Sequence, residues 1–296
     1  MTSSVKRAAA IVLCAALLAA LPCYAAADDT QVTVSAESTE AERVRPALDC
    51  VRVYVGGLLR ARAYMKNGTP YMSLADVGTV YGIDITPDVT EDAFSVSAVG
   101  LELSGAAESG YIEANHRYMY LPDGYINCEG DIYLPLDVIC RIFTLNAEVT
   151  DRGVEISTLK ARMISGSENY YDTHYDADEL YWLPHIAYVE ALDQPLAGIM
   201  GVVSVVLNRV EDEDFPDSIF EVIYDTRHTV QFTPAATGSL HGKPTELYYI
   251  ATYLVLEGYN TVGDSLYFVN PENNGNYWFR ENLTLVATYG DHEFYR

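Results

Sequence analysis

Apolar and polar positions change their rhythm midway along the chain. Within the first half a single pattern occurs twice. "GTPYMSLADVGTVYGID" begins at Gly68 and "GDIYLPLDVICRIFTLN" at Gly130, an offset of 62 residues. The offset superposes Tyr71 on Tyr133, Met72 on Leu134, Leu74 on Leu136, Val77 on Ile139, Tyr81 on Phe143 and Ile83 on Leu145. Each copy reads as an apolar strand leading into a short amphipathic helix, followed by a further strand, "AFSVSAVGLEL" or "GVEISTL". Repeats this short need a neighbour to bury their apolar faces, so the two copies are expected to form one α+β unit.

From Asp178 the rhythm becomes helical. "ELYWLPHIAYVEAL" places Leu180, Leu183, Ala187, Glu190 and Ala191 on one stripe, with Asp178 as a candidate cap. Pro184 fits only if the regular helix begins there. "PLAGIMGVVSVVLNRV" is apolar nearly all round, which predicts a buried central helix. "DSIFEVIYD" reads as a short capped helix. "TELYYIATYLVLEG" carries Leu247, Ile250, Ala251, Leu254 and Val255 at helical spacing and stops at Gly258. "SLYFVNP" and "LTLVATYGDHEFY" read as strands, the last a hairpin turning at Gly290–Asp291. The second half is therefore helical first and closes with a small sheet.

The N-terminus has the form of a secretion signal over residues 1–27: Lys6 and Arg7, an apolar run from Ala8 to Leu21, and small residues near Ala25–Ala27. Lipid attachment at Cys23 and an uncleaved anchor are the alternatives. Polar linkers follow at 28–48 and 161–177. They separate a repeat domain at 49–160 from a second domain at 178–296. The net charge is −24, and loss of Lys6 and Arg7 would leave 42 acids against 16 bases, or −26. Such a surface excludes nucleic acid as partner, and after signal cleavage no membrane association is expected. Cys50, Cys128 and Cys140 remain, so either Cys128 bridges Cys140 or all three are isolated thiols. No metal-ligand spacing is present; no cofactor and no metal are expected.

Glu190 is the residue that asks for an explanation. Carried on an apolar stripe, its carboxyl is desolvated and its pKa raised. A neutral carboxylic acid is what cleavage of a glycosidic bond needs, because the leaving oxygen must be protonated. The competing reading is a helix-end acid at the surface or paired with Arg209. Gln231, Phe232 and Thr233 fall on a loop that could line a groove. Tyr267, Asn270 and Trp278 could stack on or hydrogen-bond sugars, although aromatics near strands also serve as core. Asp193 is expected to cap the following helix. Asp193 and Glu211 are the first acids to test for a second carboxylate, and neither stands at a telling spacing.

The repeat, over about residues 50–159, resembles the copper amine oxidase N-terminal-like (stalk) domain of secreted bacterial proteins, which implies a spacer or wall-targeting module. Neither copy carries a copper-ligand cluster. Residues 178–296 resemble the cell wall hydrolase family of spore cortex-lytic enzymes (SleB/CwlJ type). The motifs run in order: "YVEA" at Tyr188–Ala191, "VVLNRV" at Val205–Val210, "FPDSIFEVIY" from Phe215, "QFTPAATG" from Gln231, "LYFVNP" from Leu266, Trp278, and "HEFYR" at the end. The resemblance implies a lysozyme-like, mainly helical domain with Glu190 as catalytic acid. It also implies cleavage between N-acetylmuramic acid and N-acetylglucosamine in peptidoglycan, whose glycan strands are then the partner. With one acid and no evident second, a lytic transglycosylase is favoured over a muramidase. The site of action would be the cell wall or spore envelope of a bacterium. The chain departs from the family after Ala191, where Arg-Gly-Glu is replaced by Leu192, Asp193 and Gln194. That departure keeps open a non-catalytic glycan-binding wall or spore-coat protein.

Overall fold

The computed structural model describes residues 50–164, 177–227, 232, 240, 242–274 and 277–296. The expected signal at 1–27, the expected linker at 28–48 and most of the expected second linker, 165–176, lie outside them. The fold is α+β.

The first half opens with β1 (Cys50–Val55), β2 (Leu58–Lys66), β3 (Thr69–Ser73) and α1 (Leu74–Tyr81). A meander follows: β4 (Asp88–Val89), β5 (Ala93–Ala98), β6 (Leu101–Ala106), β7 (Tyr111–Ala114) and β8 (Arg117–Tyr120). Then come β9 (Ile126–Cys128), β10 (Asp131–Pro135), α2 (Leu136–Phe143), β11 (Ala147–Thr150) and β12 (Gly153–Ile156). The 62-residue offset carries β3 onto β10 and α1 onto α2 without slippage. These two strands pair antiparallel within a seven-stranded sheet of order β11-β12-β1-β2-β3-β10-β9. Met72 faces Leu134, its own repeat equivalent, so a pseudo-twofold axis passes between them. Each helix lies against the strand of the other copy.

Equivalent ends of the repeats use different chemistry. Ser73 caps α1 by accepting from the Asp76 amide at 3.0 Å. Its equivalent Pro135 offers α2 no side-chain cap. Gly82 closes α1 in the left-handed region at φ 68°, and Thr144 adopts the same conformation at φ 51° after α2, a position where a β-branched residue is unusual. The segment that reads as one strand, "AFSVSAVGLEL", is a hairpin turning at Val99–Gly100, where Gly100 has φ 78°. Among the described residues the cysteines, Cys50, Cys128 and Cys140, are thiols, and no bridge joins Cys128 to Cys140.

The second half contains α3 (Ala177–Glu190), α4 (Leu196–Glu211), α5 (Ile219–Ile223), α6 (Glu246–Leu256), β13 (Tyr267–Val269), α7 (Pro271–Asn274), α8 (Tyr277–Asn282), β14 (Leu285–Tyr289) and β15 (His292–Tyr295). Helix α4 is central: Gly198 to Val206 are buried without interruption. Gly201 is required there, because a Cβ would come within 2.6 Å of the Phe294 ring. On α6, Ile250, Ala251, Leu254 and Val255 are buried as expected, but Tyr248 is buried in place of Leu247. The cap of α5 is Ser218, which accepts from the Glu221 amide. Strands β13, β15 and β14 form the closing sheet.

The halves share a packed surface. Tyr118 stacks on Tyr253 with ring centroids 6.0 Å apart, and Tyr120 meets Tyr259 edge-on at 6.0 Å. The Arg117 guanidinium grips the Glu257 carboxylate through two hydrogen bonds. Arg141 donates to the Glu257 carbonyl at 2.9 Å and lies over the Tyr259 ring. Residues 161–164 run with the first half, where Arg162 and Ile164 donate to the carbonyls of Phe143 and Ile142.

Candidate active site

Glu190 is the last residue of α3. The helix is driven onto the core by Leu183, Ile186, Ala187 and Ala191, all fully buried. It does not begin at Pro184; it begins at Ala177 and runs through the proline. A proline inside a helix removes the amide that would serve residue i−4 and pushes on that carbonyl. At the next residue, the His185 ring Nδ1 lies 2.7 Å from the Tyr181 carbonyl, which gives a carbonyl at the disturbed turn a side-chain donor. His185 is itself buried, with its ring against Tyr181 at 3.9 Å.

The end of α3 is held from three sides. The Tyr188 ring meets Tyr248 of α6 edge-on at 5.2 Å. It also covers Gly242, where a Cβ would come within 2.5 Å of it. In the turn, Asp193 adopts φ 62°, a left-handed conformation that aspartate tolerates better than most residues. Asp193 is exposed and does not cap α4, whose N-cap residue is Pro195 with no side-chain bond. The Gln194 side-chain Oε1 accepts from the Asp291 amide at 2.9 Å, which ties the turn to the β14–β15 hairpin. Gly290 is needed in that hairpin, because a Cβ there would meet Gln194 Oε1 at 2.3 Å. The departures from the family pattern at 193 and 194 thus serve the turn: one residue accepts a positive φ, the other supplies an acceptor oxygen.

Glu190 Oε1 is buried and has no hydrogen-bond partner. Burial raises the carboxyl pKa to about 7, and the opposing attraction of the Arg209 guanidinium is too weak to prevent it. Glu190 is not ion-paired to Arg209 within contact distance among the described residues. The helix does end at Glu190, in keeping with the competing reading, but one of its carboxyl oxygens, Oε1, is buried.

Arg209, on α4, is 2% exposed. Its Nε donates to the Leu266 carbonyl at 2.7 Å. Its guanidinium lies 5.1 Å from the ring centroids of Phe215 and Phe232 and 5.5 Å from that of Tyr267. Nη1 is buried without a partner. Burial lowers its pKa to about 10, against the pull of Tyr267, Asp225 and Glu190. The structure thus brings Phe232 and Tyr267, two of the expected sugar-contacting residues, to Arg209. Phe232 is 1% exposed and therefore packs rather than stacks on a ligand.

Tyr267 continues an aromatic row through Phe279 to Trp278, which is 53% exposed. Asn270 Oδ1 accepts from the Glu272 amide at 3.0 Å and so serves the start of α7. Gln231 and Thr233 lie outside the described residues. Glu211, at the end of α4, is exposed. A buried acid that the sequence does not flag is Asp225. It is held by the Arg227 side chain and amide, each at 3.0 Å. It has no sequence signal beyond an Asp-x-Arg spacing.

Residues 193–295 match the family model described as Cell Wall Hydrolase. The match begins after Glu190, so the acid itself lies just outside it. The chain is 29% identical over 104 residues to a spore cortex-lytic enzyme of Bacillus cereus, an alignment covering 35% of this chain and 39% of that protein. It is 29% identical over 115 residues to the spore cortex-lytic enzyme of Oceanobacillus iheyensis, covering 38% and 41%. The chain thus spans about two-fifths of the length of these curated relatives. Among solved structures, the catalytic domain of the germination-specific lytic transglycosylase SleB from Bacillus anthracis aligns with 27% identity and a TM-score of 0.38. That alignment covers 41% of this chain and 97% of that one. The similarity to cell wall hydrolases thus falls on the second half of the chain.

Proposed function

We propose that the protein is a secreted peptidoglycan-cleaving enzyme, a lytic transglycosylase that breaks the bond between N-acetylmuramic acid and N-acetylglucosamine. The observation that carries this reading is Glu190: a buried carboxyl with an unpartnered oxygen and a pKa raised to about 7, at the edge of the region similar to cell wall hydrolases. Half protonated at neutral pH, it is suited to both proton transfers. The Glu190 proton goes to the glycosidic oxygen as the bond to C1 of the muramic residue breaks. The muramic 6-hydroxyl oxygen then bonds to C1, and its proton returns to the Glu190 carboxylate. The products are a free N-acetylglucosamine hydroxyl and a 1,6-anhydro ring, and the acid is regenerated. No water is consumed, so no second carboxylate is needed to activate one. Of the other acids weighed, Asp193 and Glu211 are exposed and Asp225 is engaged by Arg227.

The exposed Trp278 at the end of its aromatic row suits a sugar face, and Tyr267 supports that row from within. The repeat half, built on its pseudo-twofold sheet, serves in this reading as a stalk-like spacer at the wall or spore envelope. The test is incubation of the protein with spore cortex and with vegetative peptidoglycan, followed by mass analysis. Soluble fragments ending in anhydro-muramic acid are expected. Reducing ends would make it a hydrolase, and no fragments from either material would make it a glycan-binding protein that keeps the fold.

A further inference from the structure

Arg209 is an expensive residue to place inside a core. A buried guanidinium is tolerated when its donors are satisfied and its charge is answered. Here Nε is satisfied by the Leu266 carbonyl, three aromatic rings enclose the group, and Nη1 is left without a partner. Glu190 Oε1 is also buried and also without a partner, and its charge and that of Arg209 act on each other. Two orphaned polar atoms of complementary character thus belong to residues within electrostatic reach of one another. The other charged or titratable groups that act on Arg209 are Asp225, which follows α5 and is already gripped by Arg227, and Tyr267 on β13. From α6 the group nearest the end of α3 is Tyr248, whose hydroxyl lies 3.5 Å from the Ala191 carbonyl.

We propose that Arg209 is a positioning residue that acts through Glu190: a fixed counter-ion, held ready in the aromatic cage, for the carboxylate that forms when Glu190 gives its proton to the glycosidic oxygen. The inference rests on Glu190 being the acid. In the protonated form, ready to act as acid, the carboxyl is neutral and Arg209 is held by the cage without an ion pair. When the proton leaves, a negative charge appears in a site with little water. The guanidinium then answers it through Nη1 without solvent having to reorganise. When the muramic 6-hydroxyl returns a proton, the carboxyl is neutral again and the guanidinium stays in its cage. The rings of Phe215, Phe232 and Tyr267 make this possible, because they stabilise the cation through their faces without neutralising it. A carboxylate in their place would hold Arg209 permanently.

The experiment uses the full chain with labelled glutamate carboxyl carbons and arginine side-chain nitrogens, followed by NMR across neutral pH. In the unmutated protein the Arg209 nitrogens are expected to shift with the same midpoint as the Glu190 carboxyl. In Glu190→Gln that step is expected to vanish. Arg209 resonances that ignore pH, or a step that persists in Glu190→Gln, would overturn the proposal. Activity of Glu190→Gln separates the two readings: retained turnover with a shared titration removes the acid role but keeps the coupling, and lost turnover without a shared titration does the reverse. As a second arm, Arg209→Met should move the basic limb of the pH–rate profile to higher pH and lower turnover at least tenfold. Arg209→Lys should recover some of both. A merely structural arginine would change the amount of folded protein and leave the pH profile in place.

Discussion

The two halves bury different things. Among the described residues, the first half fully buries one polar side chain, Ser73, which caps a helix. The second half buries His185, Ser204, Arg209, Asp225, Thr252, Ser265 and His292. Several of these have unmet bonding capacity: Ser204 Oγ, Arg209 Nη1 and His292 Nδ1 have no partner, as does Glu190 Oε1. Burial also lowers the pKa of His292, so its ring stays neutral near pH 7. An apolar core of sheet and helices can be kept by volume alone. A core that carries unsatisfied polar atoms gives up stability, and such departures collect at working sites. The contrast points to the second half as the seat of the chemistry without reference to any relative.

The sharpest way to break the contrast is Glu190→Gln. Turnover on peptidoglycan should fall at least ~10²-fold, in the usual range for loss of a general acid. Stability should change in the opposite sense. The folded-state pKa of Glu190 is raised to about 7 from 4.5, so the native protein holds a proton that the unfolded chain releases. Stability is then lost as pH rises from about 4.5 through about 7. Denaturant unfolding as a function of pH should show that slope in the unmutated protein and a flatter one in the variant. Equal activity in both proteins would place the chemistry elsewhere.

The next largest effect should come from the seam between the halves. Arg117→Ala leaves the Glu257 carboxylate, with its side chain 4% exposed, without its main partner. The cost should be about 3–5 kcal/mol. Because the seam also stacks Tyr118 on Tyr253, both halves should unfold together in the unmutated protein and separate into two transitions in Arg117→Ala. The sequence, with its polar junction between two blocks, points instead to independent unfolding. A calorimetric scan decides between them.

Met72→Ala and Leu134→Ala test the apolar half alone. Both residues are fully buried and face each other across the pseudo-axis. Each should cost about 2–5 kcal/mol, by similar amounts, with turnover per folded molecule unchanged. A loss of turnover in the folded variants would show that the repeat half takes part in the reaction. The smallest effect is expected at Asp193, where glycine removes left-handed strain and should stabilise by about 1 kcal/mol in thermal unfolding.

Elements fixed by local pattern are legible in the sequence. The repeat offset yields β3–α1 and β10–α2 residue for residue, and the unbroken apolar run yields α4. Where a residue's role depends on distant partners, local pattern misleads. Pro184 reads as a helix start because the His185 bond to Tyr181 cannot be foreseen. Asp193 reads as a cap because its positive φ is set by a turn docked on Asp291, about a hundred positions later in the chain. Leu247 and Tyr248 exchange places because the helix rotates to let Tyr248 reach Tyr188 and Ala191. Glu190 is legible as an acid on an apolar stripe. The cage around Arg209 is not, since Phe215, Phe232 and Tyr267 converge only in the fold.

The pairing of β3 with β10 also says what each repeat requires of the other. Each repeat closes its strand with the strand of the other and lays its helix on the other's surface. A polypeptide holding one copy alone would carry an open, apolar strand edge and could bury it only against a second, identical polypeptide. The chain thus does within one polypeptide what a symmetric homodimer does with two. Joined in one chain, the two copies need not stay identical. Pro135 could then stand where Ser73 caps, and Thr144 where Gly82 turns.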